Sequence, residues 1–103
     1  MLTDDLALVK EMFSVISAGI FTDYNFFDFD VDAGDGYIDY GVVLHKDGVK
    51  IKNAKMDIDE DTLSDLIKKL RASAESRGEP WESFVMSYQR GEQVKTTFTY
   101  GEN

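Results

Sequence analysis

Residues 28–39 read DFDVDAGDGYID, and five of these twelve side chains are carboxylates. Carboxylates this dense do one of two things. If they converge on a point they hold a divalent cation, and if they spread along a strand they make a charged surface. Asp28, Asp30 and Asp32 occupy positions one, three and five of the twelve-residue calcium loop, and Asp39 falls at position twelve. The rest of the loop disagrees with that pattern. Ala33 stands at position six, where the sharp turn needs glycine, and Asp35 at position eight, normally an apolar residue entering the core. The flanking residues show no helical period. Weak, adventitious calcium at the Asp32–Asp35 turn is the most this spacing offers a metal, and no cofactor is expected.

The alternation itself supplies the other reading. Phe27, Phe29 and Val31 interleave with Asp28, Asp30 and Asp32, and Ile38, Tyr40, Val42 and Leu44 resume the period after Ala33-Gly34-Asp35-Gly36. Aspartates at i, i+2 and i+4 are what one face of a strand produces. A four-residue loop at 33–36 pairs Val31 with Ile38, Phe29 with Tyr40 and Phe27 with Val42, all apolar. In that register Asp30 faces Asp39, and Tyr37 is paired with Asp32. Like charges opposed across strands destabilise a sheet, and a local cost of this kind tends to mark function. The candidate binding residues are therefore Asp28, Asp30, Asp32, Asp35, Tyr37 and Asp39.

Other chemistry is thinly represented. The single histidine, His45, falls on the outer parity near Lys50, where a surface role is expected rather than that of a general base. No G-x-S-x-G, H-E-x-x-H, Walker loop or G-x-G-x-x-G occurs. The absence of cysteine removes thiolate metal sites and cysteine nucleophiles. A magnesium site for phosphoryl transfer would need nearby cations to accept the phosphate. Catalysis is not expected. Met12, Met56 and Met86 read as core filler, and Trp81 as core or rim packing, with partial exposure after Pro80 as the alternative.

The net charge is −9, and it is unevenly placed. Residues 1–47 carry ten acids against Lys10 and Lys46, whereas residues 48–103 carry ten acids against nine bases. Such a chain repels nucleic acid and anionic membrane and attracts a basic partner. No apolar run approaches the ~20 residues of a membrane span, and no basic n-region opens the sequence. A cytoplasmic protein folded as one domain over 1–103 is expected.

The elements that position these residues follow from periodicity. A first helix is expected from about Thr3 to Phe21, capped by Thr3, with Asp4 and Asp5 at its positive end and Leu6, Val9, Phe13, Ile16 and Ile20 as its stripe. Asp47-Gly48 signals a hairpin that returns Val49–Lys52 against the preceding strand, so that Leu44 meets Ile51. A second helix runs from Asp59 or Asp61 to Arg77 with Leu63, Leu66, Ile67, Leu70 and Ala74 inward, and Gly78 and Pro80 stop it. WESFVMSY and VKTTFTY form a last hairpin about Arg90-Gly91-Glu92, pairing Met86 with Thr96 and Phe84 with Phe98. The result is an α+β fold, αβββαββ, with a five-stranded antiparallel sheet and two helices on one face.

The closing run GEPWESFVMSYQRGEQVKTTFTYGEN resembles the end of YezG-like immunity proteins, the antitoxins of bacterial polymorphic toxin and contact-dependent inhibition systems. Pro80-Trp81 opens the hairpin, Gly91 marks its turn and Phe98-Thr99-Tyr100 ends it. The resemblance in element order spans the whole chain, and the literal match its last quarter. It implies a protein that binds and neutralises one cognate toxin C-terminal domain, a basic nuclease being the expected kind, as a monomer or weak dimer. The family supplies no contact residues, so the choice of aspartates rests on the strand argument. The same element order is also that of type III secretion chaperones, which wrap an effector segment as dimers.

Overall fold

The computed structural model describes residues 3–34 and 36–100, the side chains of Thr3 and Asp4 excepted. The fold is α+β: α1 (Thr3–Ala18), β1 (Phe26–Gly34), β2 (Tyr37–Lys46), β3 (Val49–Lys50), α2 (Glu60–Ser76), β4 (Trp81–Gln89) and β5 (Lys95–Tyr100). All strands are antiparallel neighbours in one sheet, ordered β3-β2-β1-β4-β5. The chain divides into two compact units, Met1–Thr22 with Lys55–Pro80, and Asp23–Ala54 with Trp81–Asn103.

The first unit holds the helices. In α2, Leu63, Leu66, Ile67, Leu70 and Ala74 are buried, the stripe the sequence predicts. The Asp59 carboxylate caps the helix by accepting from the Thr62 amide at 3.1 Å and the Thr62 hydroxyl at 2.7 Å. At the other end Glu79 N–H donates to Ala74 O and Gly78 N–H to Glu75 O, with Gly78 at φ +74°. That pairing is a Schellman stop, and Pro80 then prevents continuation. In α1 the inward residues are Asp5, Val9, Met12 and Ile16. The helix ends at Ala18 rather than Phe21, Leu6 is exposed, and Ile20 instead bridges Met56. Gly19 sets that end. A Cβ there would lie 2.7 Å from the Ile58 Cα, so the 55–58 segment can close on the helix only over a glycine. Met56, in that segment, is exposed rather than core filler. The Thr3 cap and the Asp4 charge lie outside the described side chains.

The same unit contains a polar link that the sequence does not announce. Asp5 is buried, accepts from the Ser73 hydroxyl at 2.6 Å, and pairs with Arg77 Nη1 at 3.0 Å. Arg77 Nη1 also donates to Ser73 Oγ at 2.8 Å. The start of α1 is thereby tied to the end of α2. A buried carboxylate is tolerable because its cation and a hydroxyl are both in place.

The second unit is the sheet. One face carries Phe27, Phe29, Val31, Ala33, Leu44, Phe84 and Met86, all buried. Edge-on ring contacts knit it, with Phe29–Phe84 at 5.9 Å and Trp81–Phe84 at 5.1 Å between centroids. The pairs Phe84–Phe98 and Met86–Thr96 match the sequence reading. Of the core and rim positions open to Trp81, it takes the core. A β-bulge between Trp81 and Ser83 is the cause. Strict alternation would put Trp81 on the same side as Ser83. The extra residue reverses the parity and turns the indole to the side of Phe84. β3 is also shorter than expected, with Ile51 N–H reaching Leu44 O at 2.8 Å but only Val49–Lys50 forming strand.

Candidate functional site

DFDVDAGDGYID folds as the β1–β2 hairpin, not as a calcium loop. Phenylalanine and valine at every second position leave the chain little choice, because only a strand buries all of them on one side. The register differs from the one the sequence suggests by two residues. Gly34 pairs with Tyr37, so two residues connect the strands instead of four. Gly36 has φ +81°, as the second position of a tight hairpin turn requires. Asp35-Gly36 is thus the same signal as Asp47-Gly48, where φ values of 52° and 80° make a type I′ turn. Asp35 itself lies outside the described residues.

A slip of two preserves the faces and changes the partners. Asp32, not Asp30, stands opposite Asp39, while Asp30 faces Gly41 and Asp28 faces Val43. Tyr37 is not paired with Asp32. It faces Gly34, and its ring lies where a Cβ on Gly34 would be. On the other side of β1 the aspartates meet only small or uncharged residues: Ser87 beside Asp28, Val85 beside Asp30 and Ser83 beside Asp32. Lys95, Thr97 and Thr99 follow on β5.

The open face therefore has a layout that can be read row by row. Its central strand carries Asp28, Asp30 and Asp32, with Asp39 added at the Asp32 end. Basic residues stand at the opposite end, where His45 faces Phe26 and Lys50. His45 Nε2 lies 3.7 Å from Asp28 Oδ2 and packs edge-on to Phe26 at 5.4 Å. Asp30 and Asp32 are exposed and are recorded in no salt bridge with a described residue. The Asp30 carboxyl is raised above the ordinary aspartate range, first by desolvation and then by its like-charged neighbours Asp28 and Asp32.

Gly41 completes the description. Its φ is not in the left-handed region, and a Cβ built on it would meet no atom within 4 Å. Neither conformation nor crowding demands glycine there, and glycine weakens a strand interior. Its effect is to leave the β2 flank of Asp30 bare.

Chemically the face can attract and hold cationic groups. It does not assemble a nucleophile with a base. Asp28 stands between His45 on β2 and Ser87 on β4, whereas an activated serine needs the imidazole as its own neighbour. Among the described residues no group of three or more His, Cys, Asp or Glu is arranged to hold a metal ion. No helix among them is long and apolar enough to cross a membrane. No protein-family model matches this sequence, and a search of curated proteins finds no match.

Sequence reasoning found the aspartate row and missed the surroundings that define it. The Asp35-Gly36 signal was available for the register. The Gly41 gap was legible as a glycine at the outer parity of a strand whose other outer positions all carry side chains. Nothing local marks the His45–Asp28 approach, which depends on strands meeting in the sheet.

Proposed function

We propose that this protein is an immunity protein, one that captures a basic toxin domain, of the nuclease kind, on the open face of its sheet and so neutralises it. The observation that carries the reading is the row of Asp28, Asp30, Asp32 and Asp39. Asp30, Asp32 and Asp39 are exposed and Asp28 half-buried, they stand beside one another, and no described cation balances Asp30 or Asp32. A face that needed only to be wetted would mix signs, since adjacent like charges destabilise the fold that bears them. A nuclease holds its substrate on a cationic surface, and an acidic face competes for that surface and speeds capture at low salt. The likeness of Pro80-Trp81, Gly91 and Phe98–Tyr100 to YezG-like immunity proteins supports the same reading. Tyr37, exposed at the acidic end, offers an aromatic anchor.

The test takes as candidate toxin the C-terminal domain of any secreted protein whose gene adjoins this one, and a small basic domain there is the expected finding. Co-expression should protect cells from that domain, and the purified pair should associate with strong salt dependence. Charge reversal, Asp30→Lys with Asp39→Lys, should weaken binding at least tenfold and flatten the salt dependence. Unchanged affinity and salt response in the reversed variant would falsify the acidic-face reading.

A further inference from the structure

The edge of the sheet next to the acidic row is bare. β3 pairs with β2 only at His45 and Lys46, with one further bond from Ile51 N–H to Leu44 O. Among the described residues no strand lies beside β2 from Tyr37 to Val43 on the side away from β1. Backbone groups along a strand point alternately to either side. His45 O accepts from Asn25 on the β1 side, whereas Leu44 O accepts from Ile51 on the other. By that alternation the amides and carbonyls of Ile38, Tyr40 and Val42 point outward, and those of Asp39, Gly41 and Val43 point to β1. Exposed edges are normally blunted by charged side chains, lysine above all, by proline or by a bulge, and Asp39 is the single charge on this stretch. Residues 37–43, YIDYGVV, contain no lysine and no proline, and their pairing with β1 is unbroken.

The side chains along this edge specify what would pair with it. A strand laid against β2 has alternate residues on the two faces, level with those of β2. On one face they lie beside Ile38 and Val42, which favours apolar side chains. On the other they lie beside Asp39 and Gly41. A cationic side chain there meets Asp39 directly and, across Gly41, finds nothing between it and Asp30. A second copy of this chain is the wrong occupant, since its β2 brings Asp39 and a net charge of −9 against the same. The β5 edge is the poorer site for a cation, with Lys95, Thr97 and Thr99 on the open face.

We propose that the β2 edge from Ile38 to Val42 is a strand-addition site for an extended segment of a basic protein, with cationic side chains at every second position and apolar ones between. The partner's charge rests on the acidic-face reading, and the mode of pairing rests on the edge alone.

The two are separable with a blocked heptapeptide of alternating lysine and valine, added to the full isotope-labelled chain and followed by residue-resolved amide hydrogen exchange. Exchange at Ile38 and Val42 should slow at least tenfold on saturation, while Asp39, Gly41 and Val43 change little. The Ile38→Pro variant, which removes one outward N–H at a position where an edge strand tolerates proline, should bind at least fivefold more weakly. The exchange pattern of the unaltered chain decides the matter if that variant does not fold. Binding that perturbs only the aspartate face, without protection at Ile38 and Val42, overturns strand addition and leaves the acidic-face reading standing. Equal protection by an uncharged threonine–valine peptide overturns the cationic requirement instead. Protection of both amides in the free protein, with sedimentation as a dimer, overturns the site in favour of self-pairing. Equal binding of a peptide with its lysines and valines blocked into two runs also overturns it.

Discussion

Asp32 and Asp39 face each other across β1 and β2 with no cation between them. Opposed like charges of this kind destabilise by roughly 0.2–1 kcal/mol. Asp39→Thr should therefore raise stability by about 0.5 kcal/mol at neutral pH, read from the urea midpoint, while weakening capture of a basic partner. Asp30 gives the same conflict a pH signature. Its carboxyl lies above the ordinary range, so the folded state takes up its proton before the unfolded chain does. Its contribution is fully present below the ordinary aspartate value and is lost as pH rises through the raised one. Asp23 and Asp59 are lowered, Asp23 by its bond and charge pairing with Lys46 and Asp59 by its bonds to Thr62. Their stabilisation is present above the ordinary value and lost as pH falls through the lowered one. Asp30→Asn should remove the first effect alone, and denaturant titrations between roughly pH 3 and 7, which span the ordinary carboxylate value of about 4, should show stability falling less as pH rises. Asp5 lies at the other extreme. Truncating it strands Arg77 and Ser73, and Asp5→Ala should cost about 3 kcal/mol by denaturation. In the sequence Asp5 reads as one more acid at a helix start, because its partners lie at the far end of another helix.

At the scale of elements the sequence was most informative where periodicity and a local stop agreed. The α2 stripe and its Gly78 stop are local and stand as expected, and the start, left between Asp59 and Asp61, is fixed by Asp59 as the cap. Two points in the sheet that the sequence left open have a common origin. The hairpin register turned on whether Ala33-Gly34 belonged to the loop or the strand, and both readings kept every apolar residue on one face. Whether Trp81 lay in the core or at its rim turned on a bulge, an extra residue that no composition marks. Alternation fixes a face but not a register. Gly41 gives the element-scale prediction: Gly41→Thr fits the open space and suits a strand, so stability should hold or rise by up to ~1 kcal/mol. Partner binding should nonetheless fall, because the gap beside Asp30 closes. Paired melting and titration experiments would show both changes in one variant.

For the whole molecule, charge is the dominant global property. With a net charge of −9 the fold repels itself. Raising NaCl from 10 mM to 1 M shortens the screening length from roughly 30 Å to 3 Å, and the melting temperature should rise by a few degrees. Sizing separates the two binding readings, since a chaperone of the same element order dimerises obligately and the immunity protein is expected as a monomer at micromolar concentration.

The position of β1 also matters before the protein is finished. β1 is the middle strand, and its neighbour β4 begins at Trp81, far downstream of Gly34. While the chain is being synthesised, β1 can pair with β2 but must wait for most of the remaining sequence before its second edge is closed. Through that interval FFDFDV presents an unfinished strand whose apolar residues would otherwise nucleate aggregation, and the interleaved aspartates keep nascent chains apart. The same carboxylates thus weaken the completed sheet and protect the incomplete one. Replacing Asp28, Asp30 and Asp32 with threonine should raise the melting temperature of purified protein while lowering its soluble yield.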